Sequence, residues 1–198
     1  MTVPPAVLVV LAYLLGSISF AVLLVRATTG RDIRAEGSGN AGATNVLRSH
    51  GKKLALLVAL LDVAKGVAPV LLMRLVTADP RWSAAAGFAA ILGHVFPVFY
   101  GFRGGKGVAT AVGAFLALSP VALLVCLAVF LAIVAATRYV SLGSVVSLAL
   151  LPPIAGLFFH APRSVVTAAG LTALLILLTH LPNLKRLARG EEGKLGRR

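Results

Sequence analysis

Long apolar runs separated by short polar connections make up most of this 198-residue chain. The hydrocarbon core of a bilayer, about 30 Å thick, takes about 20 helical residues to cross, and a helix satisfies its backbone hydrogen bonds internally. Soluble domains contain about 45–50% apolar residues, whereas 59% of these residues are hydrophobic. The sequence therefore predicts an all-α polytopic membrane protein. Because one bundle uses the whole length, we expect residues 1–198 to form a single domain.

The apolar runs divide into a bundle of seven predicted transmembrane helices. Val108–Thr137 is too long for one ordinary span, and Ser119-Pro120 within it marks a helix start, because proline is tolerated in a first turn and breaks a helix interior. Pro152-Pro153 is expected to kink the sixth span. The predicted spans are Pro5–Val25, Leu54–Val76, Ser83–Tyr100, a short span from Val108, a span from Pro120 to Thr137, Val145–Phe159 and Val165–Leu181.

Lysine and arginine are distributed unevenly among the connections. Of the 19 such residues, the seven-span division places 15 on one side and three on the other, with Lys65 inside the second span. Cytoplasmic loops carry the excess of these residues. We therefore expect the N-terminus outside and the C-terminal tail, Pro182–Arg198, in the cytoplasm. A six-span division would move either this tail or the glycine-rich loops at Gly37–Asn45 and Gly101–Gly107 to the outside.

The first cytoplasmic connection contains the stretch Gly37-Ser38-Gly39-Asn40-Ala41-Gly42-Ala43-Thr44-Asn45, followed by Arg48. Glycine lets backbone N–H groups approach a ligand closely, and consecutive N–H groups form a concave nest that suits a phosphate. Arginine is a natural bidentate partner for such a group. The stretch predicts a phosphate-binding loop with the candidates Gly37, Ser38, Gly39, Asn40, Gly42, Thr44, Asn45 and Arg48. The other cations of this connection are interpreted as serving topology and lipid headgroups; they are Arg26, Arg31, Arg34, Lys52 and Lys53.

The second glycine-rich stretch, Gly104-Gly105-Lys106-Gly107, precedes the short fourth span. A helix start offers backbone N–H groups and the positive end of its dipole, and Lys106 adds an ammonium. The stretch lacks the Walker spacing, which argues against a nucleotide triphosphatase. Alone it is also compatible with a flexible loop whose cations only follow the topology rule. Two such loops on one membrane face favour a binding site.

Asp62, Lys65 and His94 are ionisable residues within the second and third predicted spans. Asp62 and Lys65 are three residues apart in the second span, and His94 lies close to Pro97 in the third. An ionisable group at membrane depth is a functional candidate, yet Asp62 and Lys65 can also simply pair with each other. Both interpretations stand on the sequence alone: bracing of the bundle, or support of a site.

The C-terminal region adds further candidates. His180, Asn183 and Arg186 recur at helical spacing and share a face. This face is either a helix end beside the lipid surface or a third wall of the site. Ser144, near Arg138, is a weak candidate that lies on the same membrane side.

Several kinds of site and partner are not expected. The net charge of +13 lies in the gaps between apolar runs, which argues against nucleic-acid binding. The histidines are scattered and Glu191-Glu192 has no partner at ligand spacing, so neither a metal nor a cofactor is expected. The His-x4-Asp arrangement of many acyltransferases is missing, and no general base is evident.

At these residues the chain resembles the bacterial acyl-phosphate-dependent glycerol-3-phosphate acyltransferases, small integral membrane enzymes of phospholipid synthesis. The departures are small: Ala41 stands where proline is frequent, and Arg103 where lysine is usual. The resemblance covers essentially the whole chain through the motifs Gly37–Arg48, Gly93–Pro97 with Phe102–Thr110, and Asn183–Glu192, together with Asp62–Gly66.

The resemblance implies transfer of a fatty acyl group from acyl phosphate to the 1-hydroxyl of glycerol 3-phosphate. The products would be lysophosphatidic acid and phosphate, formed at the cytoplasmic face of the bacterial inner membrane, with neither acyl-CoA nor acyl-carrier protein as direct donor. By motif match the central polar residues are Ser38, Arg48, Lys106 and Asn183. The phosphate pockets would be completed by Thr44, Gly104, Gly105, Ser144 and His180, with Asp62, Lys65 and His94 in support.

The residue types agree with this chemistry. Two phosphorylated substrates bring up to about four negative charges together, which fixed cations and N–H donors must hold. A phosphate dianion, with a second pKa of about 6, can itself accept the hydroxyl proton. The alternative is a transporter of a phosphorylated solute, which predicts an inverted repeat and broken helices at the bilayer midplane. The odd number of predicted spans and the glycines at the cytoplasmic edge argue against it.

Overall fold

The structure, a computed structural model, describes residues 3–196. Arg197 and Arg198, which contribute to the predicted cytoplasmic charge, lie outside this range. None of the residues it describes forms a β-strand, so the prediction of an all-α fold is confirmed. The chain divides into two compact units between Leu118 and Ser119. The single-domain organisation stays a prediction.

Nine α-helices account for most of residues 3–196. They are α1 (Pro5–Gly16), α2 (Phe20–Thr29), α3 (Ala43–His50), α4 (Lys52–Val76), α5 (Pro80–Val95), α6 (Val108–Leu118), α7 (Pro120–Thr137), α8 (Val140–Pro153) and α9 (Arg163–Ala188). Short 3-10 turns lie at Ile33–Ala35 and Val98–Tyr100, and a π-helical turn follows α8 at Ile154–Phe158.

Within the part of the chain that the structure describes, six segments are long and apolar enough to cross a bilayer, which supports a multi-pass membrane protein. They are Pro5–Thr29, Lys52–Val76, Pro80–Tyr100, Pro120–Thr137, Val140–Phe158 and Arg163–Ala188. The predicted fourth span corresponds to α6, which has 11 residues. At about 1.5 Å per residue it is about half as long as the hydrocarbon core is thick. Seven crossings and the orientation of the termini therefore stay predictions.

Several predicted helix ends differ from the structure, and α8 begins at Val140 instead of Val145. The first span is broken between α1 and α2, because Ser17 and Ser19 offer the backbone side-chain partners that compete with a continuous helix. The Ser17 hydroxyl donates to the Tyr13 carbonyl at 2.9 Å, and Ser19 caps α2 by accepting from Val22 N at 3.5 Å. The last span does not end at Leu181, since α9 continues to Ala188 and carries the first part of the third motif on a helix.

Prolines mark two boundaries in the positions that the sequence predicts. α6 ends at Leu118 and α7 begins at Pro120, where a missing N–H costs nothing. The Pro152-Pro153 pair ends the regular part of α8, and the chain continues as the π-helical turn. Proline removes a backbone donor and crowds the preceding turn, which explains the change of helix type.

Glycines bring the helices of the first unit into direct backbone contact. A Cβ on Gly66 of α4 would overlap the Thr110 carbonyl of α6, and one on Gly113 of α6 would overlap the Val63 carbonyl of α4. Gly93 of α5 lies equally close to the Tyr13 carbonyl of α1. Lipid tails are as apolar as leucine, so close packing of this kind holds membrane helices together.

A separate apolar cluster supports the first glycine-rich loop. Val25 of α2, Ile33, Val46 of α3 and Val58 of α4 are fully buried against one another. These side chains fix both ends of the segment that contains Gly37–Asn45, so the loop is mounted on a packed base.

In the second unit α8 packs between α7 and α9. A Cβ on Gly143 of α8 would lie 2.9 Å from Val134 and 3.0 Å from Phe130 of α7, so these two helices also meet closely. The unit buries a series of polar side chains on α8 and α9; they are Ser141, Ser144, Ser147, Thr172, His180 and Asn183. Buried polar groups between membrane helices are typical of functional sites.

We expect Gly66→Ala to lower the free energy of unfolding by about 1–3 kcal/mol, the range for overpacking. The added methyl group would meet backbone atoms, the Thr110 carbonyl and Ala114 N, which cannot turn aside. Thermal unfolding of the purified protein in detergent measures the change. Gly170→Ala is the matched control, because a Cβ there meets nothing within 4 Å and alanine favours a helix by about 1 kcal/mol. Equal melting temperatures for the two variants would contradict the packing described for α4 and α6.

Candidate active site

Asn45 is the centre of the first glycine-rich loop. Its Oδ1 accepts a hydrogen bond from Ser38 N at 2.9 Å. Its Nδ2 donates to the carbonyls of Glu36 at 2.9 Å, Ile33 at 3.1 Å and Asn40 at 3.1 Å. The side chain is buried, and its amide is engaged within the loop that it shapes. Asn45 was predicted to bind substrate, and this role stays a prediction.

The backbone around Ser38 requires glycine on both sides. Gly37 and Gly39 have φ values of 55° and 72°, in the left-handed region that glycine adopts without strain. A Cβ on Gly37 would also overlap Asn45 Oδ1 and lie 3.1 Å from Ser49 Oγ. The tight turn leaves Ser38 exposed, and Arg48 is exposed on α3. The remaining predicted residues of the loop are half-buried; they are Asn40, Gly42 and Thr44.

The second glycine-rich loop folds back onto the end of α5. Gly105 N donates to the His94 carbonyl at 3.1 Å. A Cβ on Gly104 would overlap that same carbonyl, and one on Gly105 would overlap His94 Nε2. The same Cβ on Gly105 would lie 2.8 Å from the Ala41 carbonyl. Gly105 therefore lies between His94 and the first loop, and the structure brings the two glycine-rich loops together at this point, directly before Lys106.

Arg34 also joins the two short segments that directly precede the glycine-rich loops. Its NH1 donates to the Tyr100 carbonyl at 3.0 Å, and its guanidinium lies 5.7 Å from the centre of the Tyr100 ring. Asp32 holds it from the other side, with Nε–Oδ1 and NH2–Oδ2 distances of 3.0 and 2.7 Å. The hydrogen bonds from Arg34 hold the pKa of the Asp32 carboxyl below its ordinary value, although burial opposes them.

Arg34 was predicted to serve topology and lipid headgroups, and its contact with Tyr100 was not predicted. Asp32, two positions before Arg34, was the one feature of the sequence that indicated a fixed position for this arginine. The position of Tyr100 beside Arg34 depends on the fold and left no mark in the sequence.

Asp62, Lys65 and His94 form one buried group. Lys65 Nζ lies 2.9 Å from Asp62 Oδ1, and these side chains are 1% and 2% exposed. His94 Nδ1 lies 3.5 Å from the same Asp62 oxygen. Lys65 also donates to the Ile18 carbonyl at 2.7 Å, between α1 and α2. The group thus braces the bundle and borders the second loop, while its support of a site stays a prediction.

Glu192 is the corresponding centre of the second unit. Its Oε1 accepts from Asn183 Nδ2 at 2.7 Å and from the Ser141 hydroxyl at 2.9 Å, while Oε2 accepts from Arg186 Nε at 2.9 Å. Burial raises the pKa of the Glu192 carboxyl, but the three donors outweigh burial and hold that pKa below its ordinary value. In the sequence, Glu192 ends the third motif and has no partner at metal-ligand spacing. Its role in orienting Asn183 was missed, because the chain after α9 had to be known to fold back.

Ser144 and His180 lie one helical turn from this centre. Ser144 follows Ser141 on α8, and its hydroxyl donates to the Val140 carbonyl at 2.9 Å. His180 precedes Asn183 on α9, and its Nδ1 lies 2.8 Å from the Ile176 carbonyl. Because a carbonyl only accepts, Nδ1 carries the proton in this arrangement. The second unit thus places its three predicted site residues along one stretch of the α8–α9 contact.

The predicted site residues fall in both units. The first unit holds the two glycine-rich loops with Ser38, Arg48 and Lys106, and the second holds Ser144, His180 and Asn183. A cavity shared by all of them stays a prediction. Within residues 3–196, no group of three or more His, Cys, Asp or Glu side chains is arranged to hold a metal ion.

Comparison with known proteins identifies relatives along nearly the whole chain. Residues 6–190 match the family described as "Glycerol-3-phosphate acyltransferase". A protein of that name from Geobacter sulfurreducens is 48% identical over 192 residues, which are 95% of this chain and 96% of the relative. Another from Neisseria meningitidis is 46% identical over 196 residues, which are 97% of this chain and 96% of the relative.

Two crystal structures have the same fold. One is PlsY (YgiH), an integral membrane glycerol 3-phosphate acyltransferase, in its glycerol 3-phosphate form, with a TM-score of 0.92, 41% identity and coverage of 97% of this chain and 96% of that chain. The other is the lysophosphatidic acid form of PlsY, with a TM-score of 0.89, 39% identity and coverage of 97% of this chain and 95% of that chain.

We expect Glu192→Gln to lower the melting temperature near neutral pH, because the amide lacks the charge that binds Arg186. Since the folded pKa of Glu192 is lowered, its contribution to stability is fully present above about pH 4.3, the usual glutamate value. That contribution is lost as the pH falls through the lowered pKa. The difference between the wild type and the variant should therefore shrink towards pH 3 in thermal unfolding. A difference that stayed constant from pH 7 to pH 3 would contradict an ionised Glu192.

Proposed function

Since the chain belongs to the glycerol-3-phosphate acyltransferase family, we propose that it transfers a fatty acyl group from acyl phosphate to the 1-hydroxyl of glycerol 3-phosphate. The products would be lysophosphatidic acid and inorganic phosphate, in the first acylation step of bacterial phospholipid synthesis. The family makes the chain an integral membrane acyltransferase that acts on glycerol 3-phosphate. The identity of the donor and of the acylated hydroxyl is the proposal.

The observation that carries the proposal is the meeting of the two glycine-rich loops. Gly105, next to Lys106, lies against the Ala41 carbonyl of the loop that carries Ser38 and Arg48. Backbone N–H groups, a hydroxyl and cations gathered in this way suit phosphate groups. Ser38, Arg48 and Lys106 hold the phosphates in the proposed site. In the second unit, Asn183, which Glu192 orients, and its neighbours Ser144 and His180 are also assigned to substrate.

The proposed donor removes the need for a side-chain base. The 1-hydroxyl oxygen attacks the acyl carbonyl carbon, and the bond from this carbon to the phosphate oxygen breaks. The hydroxyl proton passes to a phosphate oxygen of the donor. A phosphate dianion can accept it, because its conjugate acid has a pKa of about 6. The phosphate then leaves as inorganic phosphate. Fixed cations and N–H donors stabilise the charge that develops, and positioning of the two substrates supplies the rest of the rate.

His94 and Asp62 resemble a base and its orienting carboxylate, but their surroundings favour another role. His94 is buried, and its Nε2 lies against the backbone of Gly105. A substrate hydroxyl would have to displace the second loop to reach that nitrogen. The phosphate of the donor therefore remains the proposed proton acceptor.

The proposed enzyme crosses the bacterial inner membrane seven times, with α6 as the short crossing and the N-terminus outside. The uneven distribution of lysine and arginine supports this orientation. It puts both glycine-rich loops and the end of α9 at the cytoplasmic face, where glycerol 3-phosphate is dissolved. The acyl chain of the donor lies in the bilayer or between helices. No cofactor takes part, and neither acyl-CoA nor acyl-carrier protein serves as direct donor.

We expect purified protein to release phosphate from acyl phosphate and to form lysophosphatidic acid only when glycerol 3-phosphate is present. Phosphate release and lipid product are measured together, with acyl-CoA and acyl-carrier protein as alternative donors in parallel assays. Release that did not depend on glycerol 3-phosphate would make the protein a hydrolase. Transfer from acyl-CoA without acyl phosphate would overturn the proposed donor.

In the same assay, Lys106→Ala and Arg48→Ala should each lower turnover by about 100-fold or more, the loss expected when a preorganised charge-stabilising group is removed. Arg103→Ala and Lys52→Ala are the matched controls, since each removes one nearby cation that the proposed site does not use. Insertion into the membrane should be unchanged in all four variants. Near-normal turnover in both Lys106→Ala and Arg48→Ala would refute the assignment of the site.

A further inference from the structure

Asp62, Lys65 and His94 are buried within the first unit, and their burial needs an explanation. Removing two charges from water is costly, and replacing a buried ion pair by apolar residues is often neutral or stabilising. The Asp62–Lys65 pair is therefore weak evidence for stability alone. Its neighbours show what else the group does.

At one end the group is attached to the break in the first span. Lys65 Nζ donates to the Ile18 carbonyl at 2.7 Å and lies 5.6 Å from the centre of the Phe20 ring. A carbonyl that leaves a helix inside a membrane protein needs a donor from elsewhere. Lys65 provides that donor from α4, so the position of the break depends on an ammonium that Asp62 holds in place.

At the other end the group is attached to the second glycine-rich loop. His94 Nδ1 lies 3.5 Å from Asp62 Oδ1. Its Nε2 lies against Gly105, and its own carbonyl accepts from Gly105 N at 3.1 Å. His94 thus contacts Gly105 through both its side chain and its backbone. Lys106 is the next residue in the chain.

Two further hydrogen bonds connect the break in the first span with the chain that follows His94. Val98 N donates to the Ser17 hydroxyl at 3.4 Å, and the Tyr13 hydroxyl donates to the Phe96 carbonyl at 2.7 Å. These contacts join the break in the first span to the segment that follows His94. The buried group and these flanking bonds therefore connect Ile18 to the second loop through α4 and α5.

We propose that Asp62, Lys65 and His94 are positioning residues that fix Lys106 against the first glycine-rich loop by holding Ile18 and Gly105. The inference rests on the proposed function, since it assigns these residues to the placement of its phosphate-binding cation. They act through the backbone of the loop and exchange no proton with substrate. A misplacement of about 1 Å in such a site can cost 100-fold in rate, which gives the network its importance.

His94→Asn is the informative substitution. The asparagine Nδ2 takes roughly the place of His94 Nδ1 and keeps a donor for Asp62, while the part of the ring against Gly105 is lost. We expect the KM for glycerol 3-phosphate or for acyl phosphate to rise by about tenfold or more. The shape of the pH profile of kcat should stay as in the wild type. Loss of one limb of that profile would indicate a catalytic base and would overturn the positioning role.

A double-variant cycle tests whether the effect passes through Lys106. Calorimetric binding of glycerol 3-phosphate and of inorganic phosphate is measured for the wild type, His94→Asn, Lys106→Ala and the combined variant. If His94 positions Lys106, the His94 substitution weakens binding in the wild-type background and adds nothing after Lys106→Ala. Additive losses of binding in the combined variant would overturn the proposal.

The ion pair is tested by removing both charges together. Asp62→Asn alone leaves Lys65 buried without its counter-charge, so a folding defect is expected there. The Asp62→Asn, Lys65→Gln double variant avoids an unpaired charge and keeps an N–H donor for the Ile18 carbonyl, so it should remain folded yet bind both ligands more weakly. Wild-type binding by this folded double variant would contradict the role of the pair.

His160→Asn is the control for the histidine substitution, because His160 is exposed in the second unit and its positive φ of 48° is accessible to asparagine. It should leave binding and turnover unchanged. A wild type that bound neither ligand and transferred no acyl group would overturn the proposed function together with this inference. A wild type that bound both, with His94→Asn equal to it, would overturn the inference alone.

Discussion

A backbone that leaves its helix inside a membrane must find hydrogen-bond partners within the protein, because lipid supplies none. The break between α1 and α2 meets this requirement with Lys65, whose ammonium donates to the Ile18 carbonyl. That ammonium is buried beside Asp62, and Asp62 in turn lies beside His94 and the second glycine-rich loop. The need of the Ile18 carbonyl for a donor thus explains the position of Lys65, and Lys65 in turn is paired with Asp62, which lies beside His94. The interruption of the first span and the shape of the second loop are parts of one arrangement.

The two polar centres outside the spans solve a similar problem with opposite chemistry. Asn45 mainly donates, because the turn around Ser38 directs carbonyls towards it, whereas Glu192 only accepts, because Ser141, Asn183 and Arg186 direct donors towards it. Neither side chain could be replaced by the other type without leaving groups of one kind facing each other. Each centre fixes a loop or a helix end while it is itself buried.

The sequence predicts what depends on local chemistry and on length. Hydrophobic runs give the long helices, and Ser119-Pro120 gives the boundary between α6 and α7, because proline acts on its own backbone. The break at Ser17–Ser19 was missed, since two serines in an apolar run do not lower its hydrophobicity enough to end a span. The contacts of Arg34 with Tyr100 and of Glu192 with Asn183 were missed for another reason. In each case the partner is distant in sequence or the chain must first fold back, so charge and spacing alone gave no indication.

The proposed reaction explains why such rigid supports are needed around flexible cations. Two like charges about 4 Å apart repel by about 4 kcal/mol at the effective dielectric of a protein surface, and two phosphate groups present several such pairs. A lysine side chain alone stabilises such a pair of phosphates poorly, because it must lose much rotational freedom to hold one position. The loop backbones that Asn45 and His94 shape are already in place and need no reorganisation when charge develops. In the proposed site, the buried network therefore serves the same electrostatic purpose as Arg48 and Lys106, although none of its members needs to touch a substrate.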